Sequence, residues 1–79
     1  MTRQAIKELA NKQPFKPFSL RLVDGTVYEV PGRDYISLSI SGASIFLSFW
    51  DEKDSTHQTE VIKLIDTALV SEAEYPEVV

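Results

Sequence analysis

The chain has 79 residues, 43% hydrophobic and 25% charged, with a formal net charge of −4. That is room for one domain of ordinary globular composition, without space for separate catalytic and regulatory modules. No cysteine and a single histidine exclude disulfides, thiolate nucleophiles and the common zinc sites, and no apolar run approaches the roughly 18 residues of a membrane span.

Met1-Thr2-Arg3-Gln4 lead into mixed polar sequence rather than a signal-peptide core, so a cytoplasmic location is expected. Ala5, Ile6, Leu9 and Ala10 recur at helical spacing and predict a short helix over residues 3–12, within a helical segment 2–13. Thr2 is its N-cap, and Pro14 ends it by moving Gln13 out of helical geometry. A helix of about ten residues does not stand alone in water, so the Ile6/Leu9 stripe must dock on something. Pro14-Phe15-Lys16-Pro17-Phe18 reads as a stiff extended connector anchored by two aromatic rings, with a proline-rich ligand motif as the alternative.

From Phe18 the hydrophobic period becomes two. Phe18, Leu20 and Leu22 alternate with Ser19, Arg21 and Val23 in a half-buried strand, and Asp24-Gly25 signals a hairpin into the strand Thr26–Val30. Pro31-Gly32 interrupts this second strand, and Tyr35–Ile40 resumes it. Gly32 is expected to supply the bend where the chain crosses between sheet faces. Ser41-Gly42 turns into the strand Ala43–Trp50, which is apolar on both sides: Ile45, Leu47 and Phe49 against Phe46 and Trp50. Such a strand is usually covered twice, here by the N-terminal helix or by a neighbouring subunit. A polar loop, residues 51–58, leads to the strand Thr59–Ile65, a tight Asp66-Thr67-Ala68 turn, a last strand about Leu69–Ala73 and a fraying tail.

One helix followed by about five short antiparallel strands predicts a mainly β protein, a small strongly bent Sm-like or SH3-like barrel. An α+β antiparallel sheet with the helix on one face is the alternative. The expected layout is a single domain, 1–79, with the helix at 2–13, the barrel at 14–74 and the tail at 75–79. A core this small is marginal, and without disulfides or metal ligands oligomerisation is the remaining staple.

Pro14-Phe15-Lys16-Pro17-Phe18, Leu20-Arg21-Leu22, Asp24-Gly25-Thr26, Val30, Ile65-Asp66 and Val70 together resemble a family of short bacterial proteins of uncharacterised function, with a PF-x-PF…DG pattern, over residues 14–74. Where that family carries a His-Pro-acidic-aromatic step this chain has Gly32-Arg33-Asp34-Tyr35, so no histidine role carries over. The element order is also similar to that of Sm-like barrels, a likeness that implies assembly through strand edges and binding of RNA.

Chemistry is sparse. His57, amid Asp51, Glu52, Asp54 and Glu60, matches no EF-hand or zinc spacing and reads as part of a solvated loop. Ser37, Ser39, Ser44 and Ser48 occupy outward strand positions, with no G-x-S-x-G elbow, and the three glycines sit singly at turns rather than in a phosphate loop. No catalytic residue, metal or cofactor is expected. Charge is uneven: residues 1–17 carry Arg3, Lys7, Lys12 and Lys16 against Glu8, a net +3, whereas residues 51–79 set Lys53 and Lys63 against eight acids, a net −6. Basic helix and acidic surface attract each other across a subunit interface in one reading.

The leading expectation is a non-enzymatic module that associates with itself or another protein, with Ile6, Leu9, Phe15, Phe46 and Trp50 as candidate contacts beside Phe18. The alternative is an Sm-like binder of RNA or single-stranded nucleic acid through Arg3, Lys7, Lys12 and Lys16, which the acidic balance disfavours. A third is an enzyme whose site is shared between subunits.

Overall fold

The structure, a computed structural model, describes residues 1–51, 53, 55–56 and 59–76. The elements are α1 (Arg3–Asn11), β1 (Phe18–Leu22), β2 (Val27–Val30), a 3₁₀ turn (Arg33–Tyr35), β3 (Ile36–Leu38), β4 (Ser44–Trp50), β5 (Glu60–Asp66), a second 3₁₀ turn (Thr67–Leu69) and β6 (Val70–Glu74). Among the described residues the strands pair antiparallel in two three-stranded sheets, ordered β2-β1-β6 and β3-β4-β5.

The expected five-stranded barrel is corrected in two respects. The long second strand is two strands, one in each sheet, and the sheets do not close on each other. Prolines stand at the break. β1 and β2 pair out to Phe18↔Val30, and the residues next along each chain are Pro17 and Pro31, whose rings fix φ near −65°, away from the roughly −140° of an antiparallel strand. The 3₁₀ turn then redirects the chain to begin β3 in the second sheet. Gly32 is not the cause: its backbone is extended, with φ of −156°, and any residue adopts that. Mainly β with one helix is therefore the architecture, consistent with the α+β alternative, its sheet split in two.

Every element gives the core its inward positions. α1 supplies Ile6 and Ala10, β1 Phe18 and Leu20, β2 Val30, β3 Ile36, β4 Ile45 and Leu47, β5 Ile65 and β6 Val70. The Asp24-Gly25 hairpin forms as its sequence requires: Gly25 has φ of +92°, the Leu22 N–H donates to the Thr26 carbonyl at 2.8 Å, and Asp24 Oδ1 accepts from the Thr26 N–H at 2.9 Å.

α1 is capped as expected, the Thr2 hydroxyl oxygen accepting from the Ala5 N–H at 3.1 Å. It ends at Asn11, with Lys12 already extended and the Gln13–Pro14 bond cis. The helix packs across the β3–β4 turn. Gly42 is buried at φ of +76°, where an L side chain is strained, and α1 lies close against it: a Cβ there would be 2.8 Å from Lys7 Cε and 3.3 Å from Arg3 Cβ. On its other side the Thr67 hydroxyl donates to the Gly42 carbonyl at 2.6 Å. The turn is thus held between α1 and the second 3₁₀ turn. Arg33 adds a clamp, donating to the Ile36 carbonyl at 2.9 Å and to Asn11 Oδ1 at 3.2 Å. So placed, α1 does not cover the outer side of β4.

Candidate functional site

The expected contact residues fall in different layers. Ile6 lies wholly inside the chain's own core and offers no external contact. Leu9 and Phe15 are half-buried against that core, and Phe15 leans on Phe18 with ring centroids 5.8 Å apart. Phe46 and Trp50 are exposed, on the outer side of β4.

Strand register shows what accompanies them. Phe46 pairs with Leu64, Ser48 with Ile62 and Trp50 with Glu60, and paired residues share a face of a sheet. Phe46, Trp50, Ile62 and Leu64 therefore form one apolar surface across β4 and β5, with Ile62 and Leu64 retaining 64% and 66% of their accessible surface. The alternation that buries Ile45 and Leu47 puts these four outside.

A second feature lies where the two sheets part. Tyr28 of β2 stacks on Phe49 of β4 with ring centroids 6.3 Å apart and planes at 28°, bridging the sheets. Around this pair opens a cleft of about 760 Å³ between Val27, Tyr28, Glu29 and Pro31 on one side and Tyr35, Phe49 and Trp50 on the other. It runs on into a smaller hollow of about 220 Å³ beside Asp34, Ser48 and Glu60. The lining joins four aromatic rings with three carboxylates and contains no described lysine or arginine. Neighbours in sequence such as Val27 and Tyr28 point to opposite faces of a strand, so a cleft lined by both runs along the strand's edge.

The basic residues are dispersed. Lys7 lines a polar groove with Asn11, Arg33, Ser37 and Ser39, and no described carboxylate enters it. Lys12 borders the neighbouring hollow beside Phe15 and Arg33. Lys16 sits over the Tyr75 ring at 5.9 Å, and Arg3 is exposed on the turn of helix preceding Lys7. Arg33 was absent from the expected basic set because it lies outside the helix; its recruitment depends on the fold.

The Thr26 N–H, then the Thr26 side chain, hold the Asp24 carboxyl below the ordinary 3.8. It caps a turn and faces none of these surfaces. His57, Glu52 and Asp54 lie outside the described residues, so the metal reading of that loop is untouched by the structure. Among the described residues no group of three or more metal-ligating side chains occurs, and no helix is long and apolar enough to cross a membrane. The chain matches none of the protein-family models, characterised proteins or solved structures with which it was compared.

Proposed function

We propose that this chain is a non-enzymatic association module that pairs with a second copy of itself through the outer face of β4 and β5, on an open, Sm-like arrangement of its two sheets. The observation that carries this is the apolar surface of Phe46, Trp50, Ile62 and Leu64. A protein of this size has few apolar residues to spare from its core, and four on one sheet face mark a contact surface rather than scattered exposure. α1, the chain's own candidate cover, is engaged elsewhere, at the β3–β4 turn. An apolar strip across two neighbouring strands can meet its own copy about a two-fold axis without a new partner, which makes a second copy the simplest occupant.

The test is light scattering on size-separated protein, with absorbance at 260 and 280 nm recorded together. Wild type is expected at twice the monomer mass or more with a protein-like absorbance ratio, and Leu64→Lys at the monomer mass with unchanged circular dichroism. A wild type that stays monomeric at every accessible concentration would sink the proposal.

One observation favours a second reading, binding of RNA: the carboxylate-free groove holding Lys7 and Arg33 with Asn11, Ser37 and Ser39, since phosphate contacts need cations free of competing acids. Its signature is a raised 260/280 ratio in the same run, abolished by Lys7→Glu. The overall charge of −4 opposes it, and self-association remains the better-supported reading.

A further inference from the structure

The phase of the β1–β2 ladder determines where the β2 backbone points. The Leu22 N–H bonds to Thr26, and the register runs Arg21↔Val27, Leu20↔Tyr28, Ser19↔Glu29, Phe18↔Val30. Antiparallel pairs alternate between hydrogen-bonded and non-bonded, so Tyr28 and Val30 direct their N–H and C=O groups at β1. Val27 and Glu29 direct theirs the other way. Among the described residues β2 has only β1 as a neighbour, and Val27 and Glu29 both line the cleft. The cleft is thus bounded by a strand edge that offers two donor–acceptor pairs about two residues apart, the spacing an added strand uses.

The walls say what kind of strand. Tyr28, Tyr35, Phe49 and Trp50 offer ring faces and edges for side-chain packing. Glu29, Asp34 and Glu60 surround them, and none is ion-paired to a described residue. An acidic segment is repelled here and a basic one attracted, with arginine suited to both the rings and the carboxylates.

We propose that the open edge of β2 takes an extended, basic segment of another protein as an added strand. The basic residues of this chain's own helix do not meet that description, being helical. The cleft meets the Phe46/Leu64 surface proposed for self-association at Trp50, but the β2 edge lies outside that surface, so protection of the Val27 and Glu29 amides reads this proposal apart from self-association.

The probe is a capped pentapeptide alternating arginine and valine, compared with its glutamate–valine counterpart. Two N-methylated versions accompany it, one blocking the valine amides and the other the arginine amides. Trp50, the single tryptophan, reports binding by fluorescence. Hydrogen exchange of the Val27 and Glu29 amides reports where the peptide lies. The basic peptide is expected to bind saturably and to protect those two amides, while the acidic one does neither. An edge contact uses every second amide of the guest, so one N-methylated version binds about tenfold more weakly and the other nearly as well as the parent. Glu29→Lys, an exposed substitution, is expected to weaken the basic peptide about tenfold as well. Equal binding of acidic and basic peptides, equal effects of the two N-methyl patterns, or no saturable binding each overturns the proposal. So does protection of the Val27 and Glu29 amides that rises with protein concentration in the absence of peptide, which would make the guest a second copy.

Discussion

A single threonine ties the second 3₁₀ turn to the β3–β4 turn. Thr67 is the one buried polar side chain among the described residues. Its hydroxyl donates to the Gly42 carbonyl at 2.6 Å, while its own N–H donates to the Ala43 carbonyl at 2.9 Å. Thr67→Val keeps the shape and leaves a carbonyl buried without its donor, so unfolding in urea is expected to show a loss of about 1–3 kcal/mol. Thr67→Ser, retaining the donor, is expected to lose less; equal losses would assign the effect to packing. Asp24 acts at the opposite end of the first sheet. Because its folded pKa is lowered from 3.8 by the Thr26 bond, its contribution to stability is present above that value and is lost as pH falls through the folded one. The urea midpoints of wild type and Asp24→Ala are therefore expected to differ by a constant amount near neutrality and to converge in acid below pH 3.8. A gap that persists unchanged in strong acid would contradict this.

At the scale of elements, α1 separates two residues that helical periodicity alone treats alike. Ile6 is wholly buried and Leu9 only half so. Ile6→Ala is expected to cost about 2–5 kcal/mol as a core cavity, and Leu9→Ala clearly less, in the same urea titration. Equal costs would mean that Leu9 is covered in solution. This difference also marks how far the sequence was legible. Strand faces were readable from period-two alternation, and both tight turns from Asp24-Gly25 and Ser41-Gly42, because those features are local. The division into two sheets was not. It depends on Pro17 and Pro31 standing at the same end of one ladder, a pairing visible only once register is known. The β2 cleft was missed for the same reason: Val27–Glu29 and Phe49–Trp50 lie about twenty residues apart, and no motif links them. The only hint was compositional, an acid beside an aromatic in Tyr28-Glu29 and Asp34-Tyr35. Likewise, the exposure of Phe46 and Trp50 could not be read while α1 remained a possible cover.

For the whole molecule the deciding quantities are its small core and its divided charge. Ten buried apolar residues form the core among the described residues, and such a core gains measurably from any partner that binds only the folded state. Pairing through the β4–β5 face ties the melting temperature to protein concentration by mass action. A tenfold rise in concentration is expected to raise it by about 3–5 °C for a domain of this size, and Leu64→Lys is expected to abolish that dependence. Salt then separates apolar contact from attraction between the basic N-terminal and acidic C-terminal parts. At 1 M salt the Debye length falls to about 3 Å, which screens exposed charges while apolar burial is undiminished. If Phe46, Ile62 and Leu64 carry the contact, the concentration dependence survives high salt. If it vanishes there and Leu64→Lys behaves as wild type, the complementary charges hold the copies together and the apolar face is left for another partner.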